Sequence, residues 1–275
     1  MNNLKTLGST SAKLINSLYQ INRTIFTLKD VERITGLKST SARNLTSVLV
    51  KRQIISRIKL GKFIIIPQEI GINEKYIGNW YLLAREIVKS PDYYISYYSA
   101  MDIHNMLTQP ITKVYIATPL QERHKHKTIG NVSFEFIYTS KKNIWGIKNH
   151  WVTNSEQVRV SDIEKTILDC LSNPKYCGGI LEIAKGILIQ KDGIDFAKLI
   201  NHCLDFNKIA VTKRLGYILE TLKLQNSNAL SKLHKTINNK YYVLDPLIDT
   251  TNTFKNSWKL IANINPEDII NSGST

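Results

Sequence analysis

The sequence predicts a mixed α/β protein of the α+β type, divided into two domains. The length of 275 residues suits about two domains, and a hydrophobic content of 43% allows each of them to bury a core. Helical stripes and one hairpin fill residues 1–70, whereas strand patterns and further helices follow residue 75. We therefore predict domains at residues 1–70 and 75–275, separated by the irregular segment Gln68–Glu74.

Two helices are predicted first. The first has an apolar stripe at helical spacing, formed by Leu14, Leu18 and Ile21. The second opens at Thr27, and Asp30 three residues later completes a capping-box pattern. Gly36 suits the left-handed conformation that ends helices, so the chain is expected to turn there.

A third helix is predicted from a cap at Ser39 to about Gln53. Its inner side is expected to comprise Ala42, Leu45, Thr46 and Leu49. Its outer side is expected to comprise Thr40, Arg43, Asn44, Ser47 and Lys51. This outer side contains hydrogen-bonding and cationic groups and no carboxylate, which suits the base edges and phosphates of a DNA major groove.

A β-hairpin is predicted directly after the third helix. Its strands are Ile54–Lys59 and Lys62–Pro67, and Leu60-Gly61 forms the turn. Two helices joined by a glycine-containing turn, then a third helix and a hairpin, predict a winged helix-turn-helix. We expect Arg43 and Asn44 to read bases. The expected phosphate contacts are Lys51, Arg57, Lys59 and Lys62.

The distribution of charge also favours a nucleic-acid partner. The net charge is +15, and residues 1–70 hold twelve Lys/Arg against three Asp/Glu. The cationic excess is therefore concentrated in one quarter of the chain, which a general bias towards lysine codons does not predict. The alternative is a winged helix that binds a protein and never contacts DNA.

The larger domain is predicted to mix helices and strands. A helix is expected to start at Trp80 and to end at Ser90-Pro91, and a second is expected at Ser99–His104. The expected strands are Lys113–Ala117, Val132–Tyr138, Val158–Val160, Tyr241–Leu244 and a last one near Trp258–Ile264. Residues from Ser161 to about Leu224 are predicted to be mostly helical.

Three patterns resemble catalytic or ligand sites. His124 and His126 have the spacing of a metal pair, but the cationic loop around them favours an exposed basic segment. Asp162, Glu164 and Asp169 suggest a metal-dependent nuclease or nucleotidyltransferase as the alternative function. A capping box of Ser161 with Glu164 and the helix N-terminus at Asp162 explain these acids structurally.

The third pattern, Gly178-Gly179, lacks the flanking strand and lysine of a phosphate loop. It therefore predicts a turn before a helix at Ile180–Ile189. We accordingly expect no catalytic residue, cofactor or metal, and we expect that the protein is not an enzyme.

The three cysteines are expected to be reduced thiols, because no two of them have the C-x-x-C spacing. No stretch of eighteen apolar residues is present, and the N-terminus lacks the apolar segment of a secretory signal. The sequence therefore predicts a cytoplasmic protein without a membrane partner.

Several segments in a fixed order resemble the AbiEi family of abortive-infection antitoxins, which belong to type IV toxin–antitoxin pairs. They are Tyr97–His104, Val158–Asp169, Pro174–Gly179 with the helix after it, Arg214–Glu220, Leu244–Pro246, and Trp258–Leu260 with Asn263. These segments span about residues 90–265, and the family also places a winged helix at the N-terminus. The chain departs from the family at His104-Asn105-Met106, where a glycine is expected after the histidine.

The resemblance implies an autoregulating transcriptional repressor that binds inverted repeats in double-stranded DNA of its own promoter. It also implies a phage-defence antitoxin that counters a nucleotidyltransferase toxin without a stable complex. If the polar positions in the matching segments carry that second role, the candidates are Arg159, Asp162, Lys165 and Arg214. A pure protein-interaction adaptor is the third possibility.

Overall fold

The computed structural model describes residues 7–67, 78–121, 125–129, 132–251 and 253–274, and the fold is α+β. The helices are α1 Ser9–Gln20, α2 Leu28–Thr35, α3 Ser39–Lys51, α4 Trp80–Ile87, α5 Tyr97–Ile103, α6 Ile163–Ser172, α7 Ile180–Ile189, α8 Phe196–Phe206, α9 Ile209–Thr221, α10 Ser227–His234 and α11 Pro266–Asn271. The strands are β1 Ile25–Thr27, β2 Ile55–Lys59, β3 Lys62–Ile65, β4 Tyr94–Ile95, β5 Lys113–Thr118, β6 His126–Ile129, β7 Val132–Tyr138, β8 Ile147–Trp151, β9 Gln157–Ser161, β10 Tyr242–Val243 and β11 Leu260–Ile261.

The chain folds into two compact units, each built from more than one stretch of sequence. The first comprises residues 1–91, 126–134 and 150–158, and the second comprises residues 92–125, 135–149 and 159–275. The predicted boundary at Gln68–Glu74 lies outside the described residues. In the part of the chain that is described, no helix is both long enough and apolar enough to cross a bilayer.

The N-terminal elements follow the order α1, β1, α2, α3, β2, β3. Strand β3 lies between the other two strands and pairs antiparallel with both, with Ile25 opposite Ile64 and Ile55 opposite Ile65. One apolar core joins these elements and includes Leu14, Leu18, Phe26, Val31, Ala42, Leu49 and Phe63. This core fixes the face that α3 turns inward.

Most of the predicted N-terminal elements are confirmed, with three corrections. Ile21 is 55% exposed because α1 ends before it, and Ile15 is buried in the stripe instead. Ser39 is the first helical residue of α3 and not its cap; Lys38 occupies the cap position without a side-chain hydrogen bond. Strand β1 was not predicted, because three residues are too few to show an apolar alternation, and the strand is recognised only by its pairing with β3.

A six-stranded sheet has the order β6-β7-β5-β4-β9-β8. Strand β4 is central, pairing antiparallel with β5 and parallel with β9 through Ile95 and Val160. The predicted strand Val132–Tyr138 is confirmed with the same ends, whereas β6 and β8 were not predicted. The last predicted strand near Trp258–Ile264 is only the two-residue β11, which pairs parallel with β10.

Helices α6, α7, α8 and α9 share the main core of the second unit. Ile167, Leu171, Ile183, Cys203 and Leu215 are buried in it. The predicted turn and the helix after it are confirmed, because Gly178 and Gly179 have φ of 76° and 94° and α7 starts at Ile180. The side chain of Asp245 accepts a hydrogen bond from the Ile180 amide at 2.6 Å.

Candidate nucleic-acid interface

Helix α3 presents its polar side to solvent. Ala42, Thr46 and Leu49 are at most 1% exposed and hold the other side in the core. The predicted outward residues are exposed at Thr40, Arg43, Asn44 and Lys51, and Ser47 is half-buried. Because α3 contains no acidic residue, this face combines a guanidinium, an amide, hydroxyls and an ammonium without a carboxylate.

A groove lies between α3 and the hairpin β2–β3. Its volume is about 500 Å³, and its walls include Arg43, Asn44, Ser47, Arg57, Leu60 and Phe63. Arg43 and Asn44 extend from the helix, whereas Arg57 extends from β2, so the two elements direct donors into one space. The guanidinium of Arg57 lies 5.7 Å from the centre of the Phe63 ring, which supports its position beside the groove.

The two lysines that flank the hairpin turn contact Glu86 and do not line the groove. The Lys59 ammonium donates a hydrogen bond to the main-chain carbonyl of Glu86, and the Lys62 ammonium forms an ion pair with the Glu86 carboxylate. Glu86 lies on α4 and also pairs with Arg85. Of the three cations predicted at the hairpin, Arg57 is therefore the one that lines the groove.

Burial and neighbouring cations act against the charge of Lys62, whereas its ion pair with Glu86 favours that charge. Its side chain is only 24% exposed. Burial first, and then the cations Lys59, Arg85 and Arg23, lower the pKa of Lys62 below its ordinary value. Because Lys62 is partly buried and already paired with Glu86, its predicted contact with a phosphate is not supported in this conformation.

Helix α2 begins with a charged capping box. The Thr27 hydroxyl accepts a hydrogen bond from the Asp30 amide, and the Asp30 carboxylate accepts one from the Thr27 amide at 2.8 Å. Arg23 and Arg33 pair with the same carboxylate at 3.0 and 3.1 Å. Burial alone would raise the pKa of Asp30, but the Thr27 hydrogen bonds and the two arginines lower it overall.

The acids proposed for metal catalysis each have a partner of their own. Asp162 caps α6 by accepting from the Lys165 amide at 2.8 Å, and Lys198 bridges Asp162 and Glu164 at 2.8 and 2.6 Å. The predicted cap at Ser161 is wrong by one residue, because Ser161 ends β9. Among the described residues, no three His, Cys, Asp or Glu side chains form a group that could hold a metal ion.

Asp169 lies apart from those two acids in a buried ion pair with Lys165. Tyr94 donates a hydrogen bond to Asp169 at 3.0 Å, and the Lys165 ammonium is fully buried against the Trp145 ring at 4.8 Å. Burial raises the pKa of Asp169 above its ordinary value, even beside this cation. Both members of the ion pair lie on α6, and the hydrogen bond from Tyr94 joins β4 to this helix inside the second unit.

The remaining antitoxin candidates are placed as follows. Arg214 is 8% exposed and donates to the carbonyls of Leu171, Val243 and Leu244 at 2.7–2.9 Å. Arg159 is half-buried on β9. Asp162, Lys165 and Arg214 thus have polar partners within the fold, and these contacts account for their residue types.

His126 belongs to strand β6, whereas His124 lies outside the described residues. The predicted metal pair therefore has only one member that can be placed. The side chains that sequence reasoning missed are Glu86 and Lys198, both of which act through partners distant in the chain. No local spacing signals either contact.

No protein-family model matches the chain, and no curated protein matches its sequence. The fold is similar to the crystal structure of the RV2827C protein from Mycobacterium tuberculosis. The TM-score is 0.69 at 12% sequence identity, and the match covers 93% of this chain and 92% of that one. At this identity the likeness concerns the fold alone.

Proposed function

We propose that the protein binds duplex DNA through α3 and the groove beside it, and that it acts as a transcriptional repressor. The observation that carries this proposal is the exposed side of α3, on which Arg43 and Asn44 face the same groove as Arg57. Guanidinium and amide groups match the acceptors and donors on base edges in a major groove. Further support comes from the order of helix, helix and hairpin, which is that of a winged helix-turn-helix.

We further propose, on the resemblance to the AbiEi family, that the DNA is the protein's own promoter and that the sites are inverted repeats. The second unit then counters a nucleotidyltransferase toxin in the cytoplasm without forming a stable complex with it. Because Asp162, Lys165 and Arg214 are buried with partners of their own, we expect the antitoxin surface to comprise other residues. A gene for a nucleotidyltransferase next to this one would support the proposal.

The DNA-binding proposal is tested by selecting duplexes from a random library with the full-length protein. Binding of the recovered duplexes is then compared with binding of shuffled sequences in a gel-shift titration at fixed salt. We expect specific binding to exceed non-specific binding by about a thousandfold or more. Equal affinity for selected and shuffled duplexes would overturn the repressor proposal.

The antitoxin proposal is tested separately, by co-expressing the protein with the toxin encoded beside it. We expect growth to be restored by the wild-type protein and also by Arg43→Ala, because the toxin is countered by the second unit. If Arg43→Ala no longer restores growth, protection against the toxin would be due to transcriptional repression alone.

A further inference from the structure

The most exposed large apolar side chain of the described residues lies at the turn between β2 and β3. Leu60 is 95% exposed, and the next residue, Gly61, has a φ of 71° and open space around its α-carbon. The positive φ of Gly61 allows a tight turn that holds Leu60 outward. An apolar side chain at the extreme end of a hairpin gains nothing from the fold itself.

The surroundings of Leu60 indicate what it contacts. Leu60 lines the groove that also contains Arg43 and Asn44 from α3 and Arg57 from β2. Whatever occupies this groove therefore meets cationic and amide donors on one side and a leucine at the hairpin tip. A polyanion with apolar surface between its charged edges has this complementary character, and duplex DNA is such a partner.

The hairpin tip does not offer the ammonium groups expected of a simple phosphate contact. Both flanking lysines are turned to Glu86, so Leu60 projects without a cation beside it from Lys59 or Lys62. Many proteins that bind the minor groove insert an apolar side chain, leucine among them, between two base pairs and partly unstack them. A phosphate, by contrast, gives a leucine no favourable contact.

We propose that Leu60 enters the minor groove next to the major groove occupied by α3, where it acts as an apolar wedge. This inference rests on the proposed DNA binding and adds a second kind of readout to it. Arg43 and Asn44 read base edges in the major groove, whereas Leu60 favours base steps that open easily, such as pyrimidine–purine steps. The hairpin thus contributes specificity and not only charge.

The test uses the full-length protein and a duplex selected from a random library with the wild-type chain. Leu60→Ala is expected to weaken binding of that duplex about tenfold, because the wedge loses most of its apolar area. Leu60→Met keeps the apolar length and is expected to bind within about threefold of the wild type. Leu247→Ala is the matched control, since Leu247 is a 54% exposed leucine of the second unit, and no change is expected.

The groove is identified with modified base pairs. Replacing one A·T pair at a time with 2,6-diaminopurine·T adds an amino group to the minor groove and leaves the major-groove pattern unchanged. At the pairs beneath the hairpin tip, this change is expected to weaken wild-type binding about tenfold and to have little effect on Leu60→Ala. The loss of sensitivity in the variant assigns the minor-groove contact to Leu60.

Two results would overturn the inference while the proposed function stands: wild-type affinity in Leu60→Ala, or equal sensitivity of both proteins to the modified pairs. A different result, in which no duplex is selected by the wild-type chain, would overturn the DNA-binding proposal and this inference with it. Leu60→Ala is compared with the wild type by circular dichroism. If the alanine variant is unstable, the modified pairs still test the inference on the wild type, because unchanged binding at every modified pair would overturn it.

Discussion

Arg43 lies on the exposed side of α3 and lines the groove between this helix and the hairpin. If its guanidinium pairs with two acceptors of a guanine, Arg43→Ala loses about 1–3 kcal/mol of binding free energy and discriminates less between bases. Arg43→Lys keeps the charge without the fork geometry, so it is expected to keep non-specific affinity and lose discrimination. Titrations on matched and mismatched duplexes measure both effects, and an unchanged preference in Arg43→Ala would exclude base readout by this residue.

Asp30 gives the first unit a pH dependence. Its pKa in the folded protein is below the ordinary value of 3.8. The charged carboxylate therefore stabilises the fold at neutral pH, and this contribution is lost as the pH falls through the folded pKa. Asp30→Asn is expected to cost about 1 kcal/mol at pH 7 and less at pH 3, as measured by urea unfolding.

Glu32 is another carboxylate on α2 and provides the control for Asp30. Glu32→Gln removes the same charge without removing the capping box, so its effect at pH 7 is expected to be smaller. Equal losses in the two variants would mean that net charge, and not the contacts with Thr27, Arg23 and Arg33, accounts for the stability of the cap.

At the scale of single elements, α4 partly neutralises the positive charge of the hairpin, because Glu86 pairs with Lys62. Glu86→Gln removes the carboxylate that pairs with Lys62, so the Lys62 ammonium loses its ion pair. We expect tighter binding to all duplexes, with a slope of affinity against salt steeper by about one unit, because Lys62 is released while Lys59 keeps its hydrogen bond to the Glu86 main-chain carbonyl. Gel-shift titrations over a range of salt concentrations measure the slope.

Glu267→Gln, on the exposed side of α11, makes the same change in net charge in the second unit and controls for it. We expect the affinity of this variant to depend on salt concentration with the same slope as that of the wild type. A slope in Glu86→Gln that equals that of the control would show that Lys62 makes no contact with DNA whether or not Glu86 is charged.

Helix α9 packs closely against the indole ring of Trp258 at Gly216. A Cβ atom on Gly216 would lie 2.1 Å from an atom of the Trp258 ring, and the ring is held by a 2.7 Å hydrogen bond from Nε1 to Glu220. Gly216→Ala is therefore expected to destabilise the second unit by about 3 kcal/mol. Gly8→Ala, which meets no atom within 4 Å, is the control in thermal unfolding, and equal melting temperatures of the two variants would contradict this packing.

Elements with strong local signals could be predicted from the sequence. The capping box and Gly36 define α2, and helical spacing defines the buried side of α3. The short strands β6 and β8 were not predicted, because their residues are mostly polar and lack a regular alternation of apolar and polar side chains. The contact of Glu86 could not be predicted for a different reason, since its pairing with Lys62 joins positions 24 residues apart.

At the scale of the whole molecule, the net charge of +15 favours a polyanionic partner, and the acids considered for metal chemistry are paired with lysines. Because Lys198 neutralises Asp162 and Glu164 while Lys165 holds Asp169, a divalent cation meets no open carboxylate site there. Incubation of DNA, RNA and nucleotides with the protein and Mg²⁺ or Mn²⁺ is expected to leave all of them intact. Cleavage or transfer that is lost in Asp169→Asn would instead support the nuclease or nucleotidyltransferase alternative.

The buried residues of the described segments could be predicted only in part. The apolar stripes indicated which residues of the first unit are buried, but its extension to residues 78–91 and 150–158 has no local signal. The candidate groove was predicted on its helix side and only partly on its hairpin side, since the orientation of Lys59 and Lys62 depends on α4. The α+β class itself follows from patterns that are local and periodic.

All three cysteines are free and buried. Burial raises the pKa of Cys203 to about 12 and that of Cys177 well above 9, so neither forms the reactive thiolate at neutral pH. Because the native cysteines are buried, a maleimide dye is expected to react selectively with a cysteine introduced on the surface. Ser39 on α3 is exposed and is a suitable position for that cysteine. Energy transfer between that dye and a labelled oligonucleotide then measures whether, and how fast, this helix approaches the proposed DNA partner.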